Sequence, residues 1–588
     1  MLTALTAPAF AETWDIEKGD ITVKAGKTGN DVTQNNETTY GDTGTVITGK
    51  SDKNTVTIEA KDKGDKVEVK FENVNIDASS RSEAAVSVTG KGDTNIELDG
   101  DNELKSGAGH AGLEHNKTDT SGELTIQDKD NNGSLEAAGG FKGAGIGSAG
   151  SHDAQVKITG GNITATSDDW GAGIGSGSYG TGTVEITGGE INATGGYLGA
   201  GIGGGCNGSG NVTISGGTIT AAGSDGAAGI GGGYYNGATV TITGDAVIKN
   251  ASSTKYGAGI GGGNGSDGNV TISGNAKIEN ATGGYGAAGI GGGAFSSPDK
   301  IGNGNVVIKD NAKIDNVQGG AYGAGIGGGI FGLSNVTIEG NTKINATGGA
   351  GGAAIGGGAG AENNSDNNGN QITIKSNENG SPTINAVGGG TDEGEEIVIG
   401  GAGIGAGCES DADADITLEG KVTITATAGK DNVAIGANGI EQEFSGLAEG
   451  SSITRYDSEG NDITLPTDPV PADTSSSGGG SADASVQESV FPGLVVTDKD
   501  GQRISYTSIR DNNVLSLRVG RFTASLRASL ATLRQLRAEG IDTITFQTIL
   551  RSTTLSVDEL LAMGGEDAEV VLTHHIRSST LTVGGKAV

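Results

Sequence analysis

Aromatic residues, proline, cysteine and positive charge are all scarce in this chain of 588 residues. Trp, Tyr and Phe make up 4 % of it, too few for a large conventional core. With 7 prolines and no glycine at every third position, a collagen triple helix is excluded. No apolar run approaches the roughly 20 residues that span a bilayer, so no transmembrane segment is expected. The 38 Lys and Arg face 72 Asp and Glu, and the net charge of −34 repels nucleic acid and anionic lipid headgroups as partners.

Glycine, by contrast, supplies 113 of the 588 residues, far above the roughly 7 % of an average protein. A flexible linker would show no apolar period, yet 33 % of the chain is hydrophobic, with Ile and Val recurring. The pentad Gly-Ala-Gly-Ile-Gly or a close variant places its isoleucine at Ile146, Ile174, Ile202, Ile230, Ile260, Ile290, Ile326, Ile355, Ile404 and Ile435. The spacings are 28, 28, 28, 30, 30, 36, 29, 49 and 31, a unit of 28–30 residues with occasional insertions. Two alternating segments follow each pentad, such as Thr183-Val184-Glu185-Ile186-Thr187 and then Glu190-Ile191-Asn192-Ala193-Thr194. Period-two alternation, β-branched residues and glycine separators predict three short strands per coil. Stacked coils then form an all-β right-handed parallel β-helix, a solenoid on the order of 50 to 60 Å long at about 4.8 Å per coil. In Gly171-Ala172-Gly173-Ile174-Gly175 the alternation turns Ala172 and Ile174 inward and the glycines outward, predicting a bare glycine face along the rod.

Residues 1–11 end in Ala9-Phe10-Ala11, a small-x-small pattern that reads as a partial signal peptide and predicts export. Residues 12–107 read as an N-terminal cap and irregular β-coils, and 108–464 as the glycine-rich β-helix. Ala84-Ala85-Val86 and Ala111-Gly112-Leu113 read as degenerate first strands. The Pro, Ser and Gly of residues 465–486 predict a linker. Residues 487–588 hold 11 basic against 11 acidic residues and nine of the eleven arginines, marking a small C-terminal α/β or α+β domain. There Leu526, Leu530, Leu533 and Leu536 fall at helical spacing, residues 556–563 read as a capped helix, and strands are expected at 514–517, 543–549, 569–573 and 580–583.

Cys206 and Cys408 each follow a pentad isoleucine by four residues but lie six pentads apart. At about 29 Å they would be too distant for a disulfide. Before residue 487 the only arginines are Arg81 and Arg455, one in the starting coils and one past the last pentad, so the rod lacks a mid-rod arginine base of the kind a β-helix lyase can use. Asp168-Asp169 beside Trp170 resembles half of a glycosidase pair, but adjacent strand residues point to opposite faces and no partner motif follows. His110, His115, His152, His574 and His575 show no metal spacing. Corner residues Asp267, Asp310 and Asn269 offer oxygen ligands that make calcium a possible cofactor.

Phe141, Trp170, Tyr197, Tyr256, Tyr285 and Tyr322 each precede their pentad isoleucine by four or five residues, which predicts a broken aromatic ladder along one corner. Of these, Trp170, Tyr197, Tyr256, Tyr285 and Tyr322 are the candidate carbohydrate-binding residues, because rings along a strip stack on successive sugars. Rings that merely rigidify a turn are the structural alternative. The insertions at 294–304 and 359–370 are candidate recognition loops.

With the block from Trp14-Asp15-Ile16 to Val74-Asn75-Ile76-Asp77-Ala78, then Asn102-Glu103-Leu104-Lys105-Ser106, Gly122-Glu123-Leu124-Thr125-Ile126 and the tandem pentads, residues 12–440 resemble a known family. These are the glycine-rich parallel β-helix surface proteins of Gram-positive gut bacteria, of the carbohydrate-binding domain-containing type. The resemblance implies a secreted or wall-associated, non-catalytic protein that binds plant or host polysaccharide as an adhesin, and a monomer is expected. The alternatives are a polysaccharide lyase or glycoside hydrolase of the β-helix type, and a structural surface spacer.

Overall fold

The structure, a computed structural model, describes residues 11–294, 297, 300–363, 369–390, 399–469, 493–497 and 501–587, apart from 502, 505, 512, 520–522, 549–550, 566–567 and 576–577. The described residues between 12 and 469 form a parallel β-helix whose coils stack in three ladders, two of which are traversed by single long strands, Lys66–Asp77 and Asp93–Lys105, in the early coils. In the pentad ladder, two-residue strands stack isoleucine on isoleucine and glycine on glycine, as in Ile174 on Ile202 and Gly175 on Gly203. The early rungs obey the same register: Leu113 pairs with both Val86 and Ile146, and Val56 with both Val86 and Ile21. Insertions do not disturb it, since Ile290 pairs with Ile326 and Ile355 with Ile404 across the longest spacings.

The second ladder contains strands such as Gly210–Ile214 and Gly268–Ile272, and the third contains strands such as Glu190–Thr194 and Thr218–Gly223. Their inward Ile, Val and Ala side chains join the pentad isoleucines in one continuous core from Ile16 to Ile453. Stacking buries what a single coil leaves exposed, so each coil is stable only between neighbours.

On the outer side of the second ladder, two columns run in register. One passes through Asn211, Thr239, Asn269, Asn305, Asn335 and Gln371, the other through Thr213, Thr241, Thr271, Val307, Thr337 and Thr373.

Both ends of the helix are closed. At the N-terminal end Ile21–Ala25, Asn30–Gln34 and Glu37–Asp42 make an antiparallel meander. At the C-terminal end Glu441 stands in for a missing coil: its carboxylate accepts the N–H groups of Ala434 (2.6 Å) and Ile435 (3.1 Å), which inside the rod donate to the next coil's carbonyls. Arg455, fully buried, donates through Nη1 to Glu441 and to the Ile435 carbonyl, and through Nε and Nη2 to Asp468 at 2.7 and 3.0 Å. Ile453 also donates to the Pro469 carbonyl at 2.8 Å. Residues 465–469, expected as the start of the linker, therefore belong to the end cap. The rest of the linker, residues 470–486, lies outside the described residues, as does most of the expected signal peptide.

The C-terminal module has its own core. One antiparallel sheet holds Leu494–Thr497, Ala524–Ser529, Glu569–His574, Ser579–Val583 and Lys586–Ala587. A second holds Thr507–Asp511, Val514–Arg518, Thr543–Gln547 and Ser552–Ser556, with one parallel pair between 514–518 and 543–547. Two short helices, Leu530–Ala538 and Val557–Leu561, start at Ser529 and Ser556, whose hydroxyls accept the N–H groups of Thr532 and Glu559. Leu526, expected on the first helix, lies on the strand before it. The strand's hydrogen-bonding partners at 569–574 hold that backbone extended, and the helix begins only after the Ser529 cap.

Candidate functional site

The pentad corner is where the structure departs most from the pattern of alternation. Gly171, Gly173 and Gly175 are buried, and among the described residues the pentad glycines form no bare face. The turn before each pentad and the turn after the next coil's pentad fold toward each other over the outer side of the strand. Four residues before one isoleucine, a carbonyl accepts the N–H found four residues after the next one. The pairs include Lys142 and Ser178 (3.0 Å), Trp170 and Cys206 (2.7 Å), Leu198 and Tyr234 (3.1 Å), Tyr256 and Ala294 (2.8 Å), and Tyr322 and Ala359 (2.8 Å). Glycine is required because stacked backbone lies against it: a Cβ on Gly175, at φ +135°, would overlap the carbonyl of Gly203, its partner in the next coil, and one on Gly173 would meet the backbone of Ala165 and Thr194 in the third ladder.

The same turns hold non-glycine residues in the left-handed region: Lys142 (φ 71°), Trp170 (64°), Leu198 (65°), Tyr256 (62°), Tyr322 (73°) and Asp431 (57°) before the pentad, and Ser151 (66°), Tyr179 (65°), Asn207 (56°), Tyr235 (61°), Phe331 (62°) and Glu409 (53°) after it. Other coils place Gly226, Gly286, Gly351, Gly265 and Gly360 at these positions, also with positive φ. Each non-glycine residue in this conformation costs about 1–2 kcal/mol, so the aromatics stand where glycine would be free of strain.

The structure brings some of the candidate rings together. Tyr285 lies edge-on to Tyr256 at 6.2 Å and to Tyr322 at 5.5 Å. Trp170 packs on Phe141 at 5.3 Å, and the Lys142 ammonium lies 5.2 Å from both rings. Tyr197, 51 % exposed, occupies a coil between these two groups. Reading only upstream of the pentads missed a second column four and five residues downstream, with Tyr179, Tyr234, Tyr235 and Phe331. The same spacing in the opposite direction would have found it. Tyr234 donates its hydroxyl to that of Tyr235 at 2.6 Å, and burial, with that hydroxyl, pushes its pKa up to about 12. Both columns edge the same sealed corner.

Acidic groups sit within this strip. Asp169 has a buried carboxylate oxygen without a hydrogen-bond partner, and burial, then the Asp168 charge, raises its carboxyl above the ordinary aspartate range. Its neighbour Cys206 is, like Cys408, a buried free thiol. The corner oxygens considered for calcium are engaged between coils: Asp267 accepts from the Asn303 N–H at 2.8 Å, Asp310 from Gly274 at 3.0 Å, and Asn269 from the Asn305 amide at 2.9 Å. Among the described residues no three His, Cys, Asp or Glu side chains group closely enough to hold a metal ion. His574 is buried and His575 exposed on successive positions of the C-terminal module. In the starting coils a polar cleft of about 530 Å³, lined by residues including Lys50, Lys53, Asp52, Asp77 and Glu103, had no signature in the sequence. No helix among the described residues is long and apolar enough to cross a membrane.

Four stretches, residues 156–178, 184–206, 212–234 and 270–294, match the family described as Beta helix repeat. The first three run from the first valine of a second-ladder strand to the turn after the next pentad, so each match covers 23 residues of a 28-residue coil and begins in the second ladder. No curated protein and no solved structure matches the chain. The stacked register and the repeat matches agree: this chain is a parallel β-helix repeat protein.

Proposed function

We propose that this β-helix is a non-catalytic carbohydrate-binding protein of the cell exterior, an adhesin for plant or host polysaccharide, with the aromatic strip of the pentad corner as its contact surface. The observation that carries the reading is the placement of Tyr256 and Tyr322 in left-handed backbone where the neighbouring coils use Gly226, Gly286 and Gly351, with Trp170 at the same position between Lys142 and Leu198. Strain held in repeated positions suits a surface that gains from the rings being there. Exposed Tyr179, Tyr197 and Tyr285 offer faces for sugar stacking, and Asp169 and Lys142 supply polar groups between them.

The test is retention on a panel of immobilised polysaccharides, with calcium and with chelator, for the full chain and a Tyr256→Gly/Tyr285→Ala/Tyr322→Gly variant. Glycine is used at the left-handed positions so that the variant keeps the backbone unstrained. Retention of the wild type reduced about tenfold or more in the variant supports the reading. Absence of retention favours the spacer. Anionic uronic acid polymers should be retained only with calcium to bridge like charges. The lyase or hydrolase reading draws on the raised Asp169 carboxyl. Release of reducing ends or unsaturated products, abolished by Asp169→Asn, would replace the binding reading. Export is tested by fractionation of cells producing the full chain.

A further inference from the structure

The outer face of the second ladder carries no charge in either column across six consecutive coils, from Asn211 to Thr373. This occurs in a chain of net charge −34. The third ladder of the same rod is dressed with ions: Lys277 meets Glu279 at 2.7 Å and Asp315 at 3.2 Å, and Lys313 meets Asp315 at 2.6 Å. Charge returns in these columns at Glu185 on one side and Asp415 on the other, and along the strands the uncharged face is bounded by Lys309 and by the Glu339–Lys375 ion pair at 3.4 Å. Every side chain of the two columns is exposed or half-buried, so the face is open to solvent.

We propose that this face is a second carbohydrate surface, one that lies flat against the ordered surface of a neutral, insoluble polysaccharide. Hydroxyl and amide groups, interrupted only at Val307 in these two columns, repeat at about 4.8 Å from coil to coil and about 6.6 Å along each strand, a two-dimensional array that an ordered solid can meet at many points at once. The array is already rigid. Threonine is stiff at its first side-chain torsion, and the Asn305 amide donates to Asn269 at 2.9 Å, fixing two members of the column against each other.

Binding therefore freezes few rotamers, and a partner whose chains are already packed loses little freedom in return, whereas a soluble chain would have to be straightened over six coils. Hydroxyls and amides give up water at lower cost than ions and regain hydrogen bonds from sugar hydroxyls, while the threonine methyls meet the sugar C–H faces. A face carrying the third ladder's ion pairs would have to strip water from each ion first. The surface is separate from the pentad corner, so it stands or falls independently of the aromatic strip.

The experiment is co-sedimentation of the full chain with microcrystalline cellulose and with crystalline chitin. The variants are Thr241→Glu/Thr271→Glu, the milder Asn211→Asp/Asn335→Asp, Lys277→Ser on the third ladder, and the tyrosine variant above. All are checked for an unchanged melting temperature, and the Asn→Asp pair serves if the Glu pair does not fold. The expected result is retention on at least one solid, lowered about tenfold or more by charge on the second ladder and unchanged by Lys277→Ser and by the tyrosine variant. The proposal is overturned by failure to sediment with either solid, by equal retention of the charged variants, or by loss only in the tyrosine variant. It is also overturned if analytical ultracentrifugation shows a dimer that the charged variants dissociate, since the face would then serve a second copy of the chain.

Discussion

The backbone N–H of Cys206 donates to the carbonyl of Trp170 at 2.7 Å, tying the turn that follows one pentad to the turn that precedes the pentad of the coil before it. The bond and its equivalents seal the outer side of the pentad ladder and hold the Trp170 backbone left-handed at φ 64°. Five expectations follow from this corner, the end cap and the C-terminal module.

A Gly175→Ala chain should lose at least about 3 kcal/mol of stability, because the new methyl meets the Gly203 carbonyl and the backbone leaves a glycine-only conformation. Ser178→Ala, which removes a buried hydroxyl without a partner a few residues away, should cost less than about 1 kcal/mol. Denaturant melts of the two single variants distinguish these outcomes. Equal losses would remove the steric account of the pentad.

At Tyr256 the usual ranking of substitutions should invert. Both Ala and Gly lose the ring contact with Tyr285, but only Ala keeps the strain of φ 62°, so Tyr256→Gly should be more stable than Tyr256→Ala by about 1 kcal/mol. The comparison is of melting midpoints under identical conditions.

Replacing Arg455 by Met should destabilise the C-terminal end of the rod by about 3–5 kcal/mol, since Glu441 and the fully buried Asp468 lose their counter-charge. Adding Asp468→Asn to that variant should restore part of the loss. Hydrogen exchange at Ala434 and Ile435, whose amides Glu441 holds, reports the opening of this end.

Acid should loosen the C-terminal module through His574. Burial, and then the charge of Arg551, lowers its pKa to about 4, against an ordinary value near 6.5. The unfolded chain takes up a proton that the folded module refuses, so no penalty exists above about pH 6.5. The penalty grows as pH falls to about 4 and then levels off, on the order of 2 kcal/mol. Fluorescence- or NMR-monitored unfolding of the module within the full chain, compared with His574→Phe, checks this window. A variant with the same pH profile would refute it.

Both thiols should be unreactive in the native protein. Burial, with Asp169 nearby, pushes the Cys206 pKa up to about 11, and burial, with Glu409, pushes that of Cys408 up to about 12. Little thiolate exists at pH 8. Labelling with a chromogenic disulfide should therefore report no thiol until denaturant is added, and then two.

The rungs of this fold were legible because each coil repeats a local pattern. Ile at a fixed phase and two alternating segments after it are enough to place Val184 over Val212 and Ile191 over Ile219. The degenerate Val86 and Leu113 could be assigned by the same pattern, since the core accepts any apolar side chain at that phase. The aromatic column before the pentads was visible for the same reason. The column after them carries the same kind of signal, at four and five residues on the C-terminal side of each isoleucine.

Other features are written in contacts between coils and leave no local trace. Alternation in 171–175 predicts an outward row of bare glycines, but only the stacked structure shows that backbone of the neighbouring coils and of the third ladder packs against them. Arg455 carries no motif; its role comes from lying where the last rung has carbonyls and amides without a next coil to meet. Leu526 has a helical spacing to Leu530, yet pairing with Leu572 makes it strand. The sequence alone determined the repeat, its three strands and the inward face of each, because these depend on side-chain period and turn chemistry within about thirty residues. The tertiary structure decided which surfaces are sealed, strained or left flat and uncharged, because those depend on what the neighbouring coil brings to the same place.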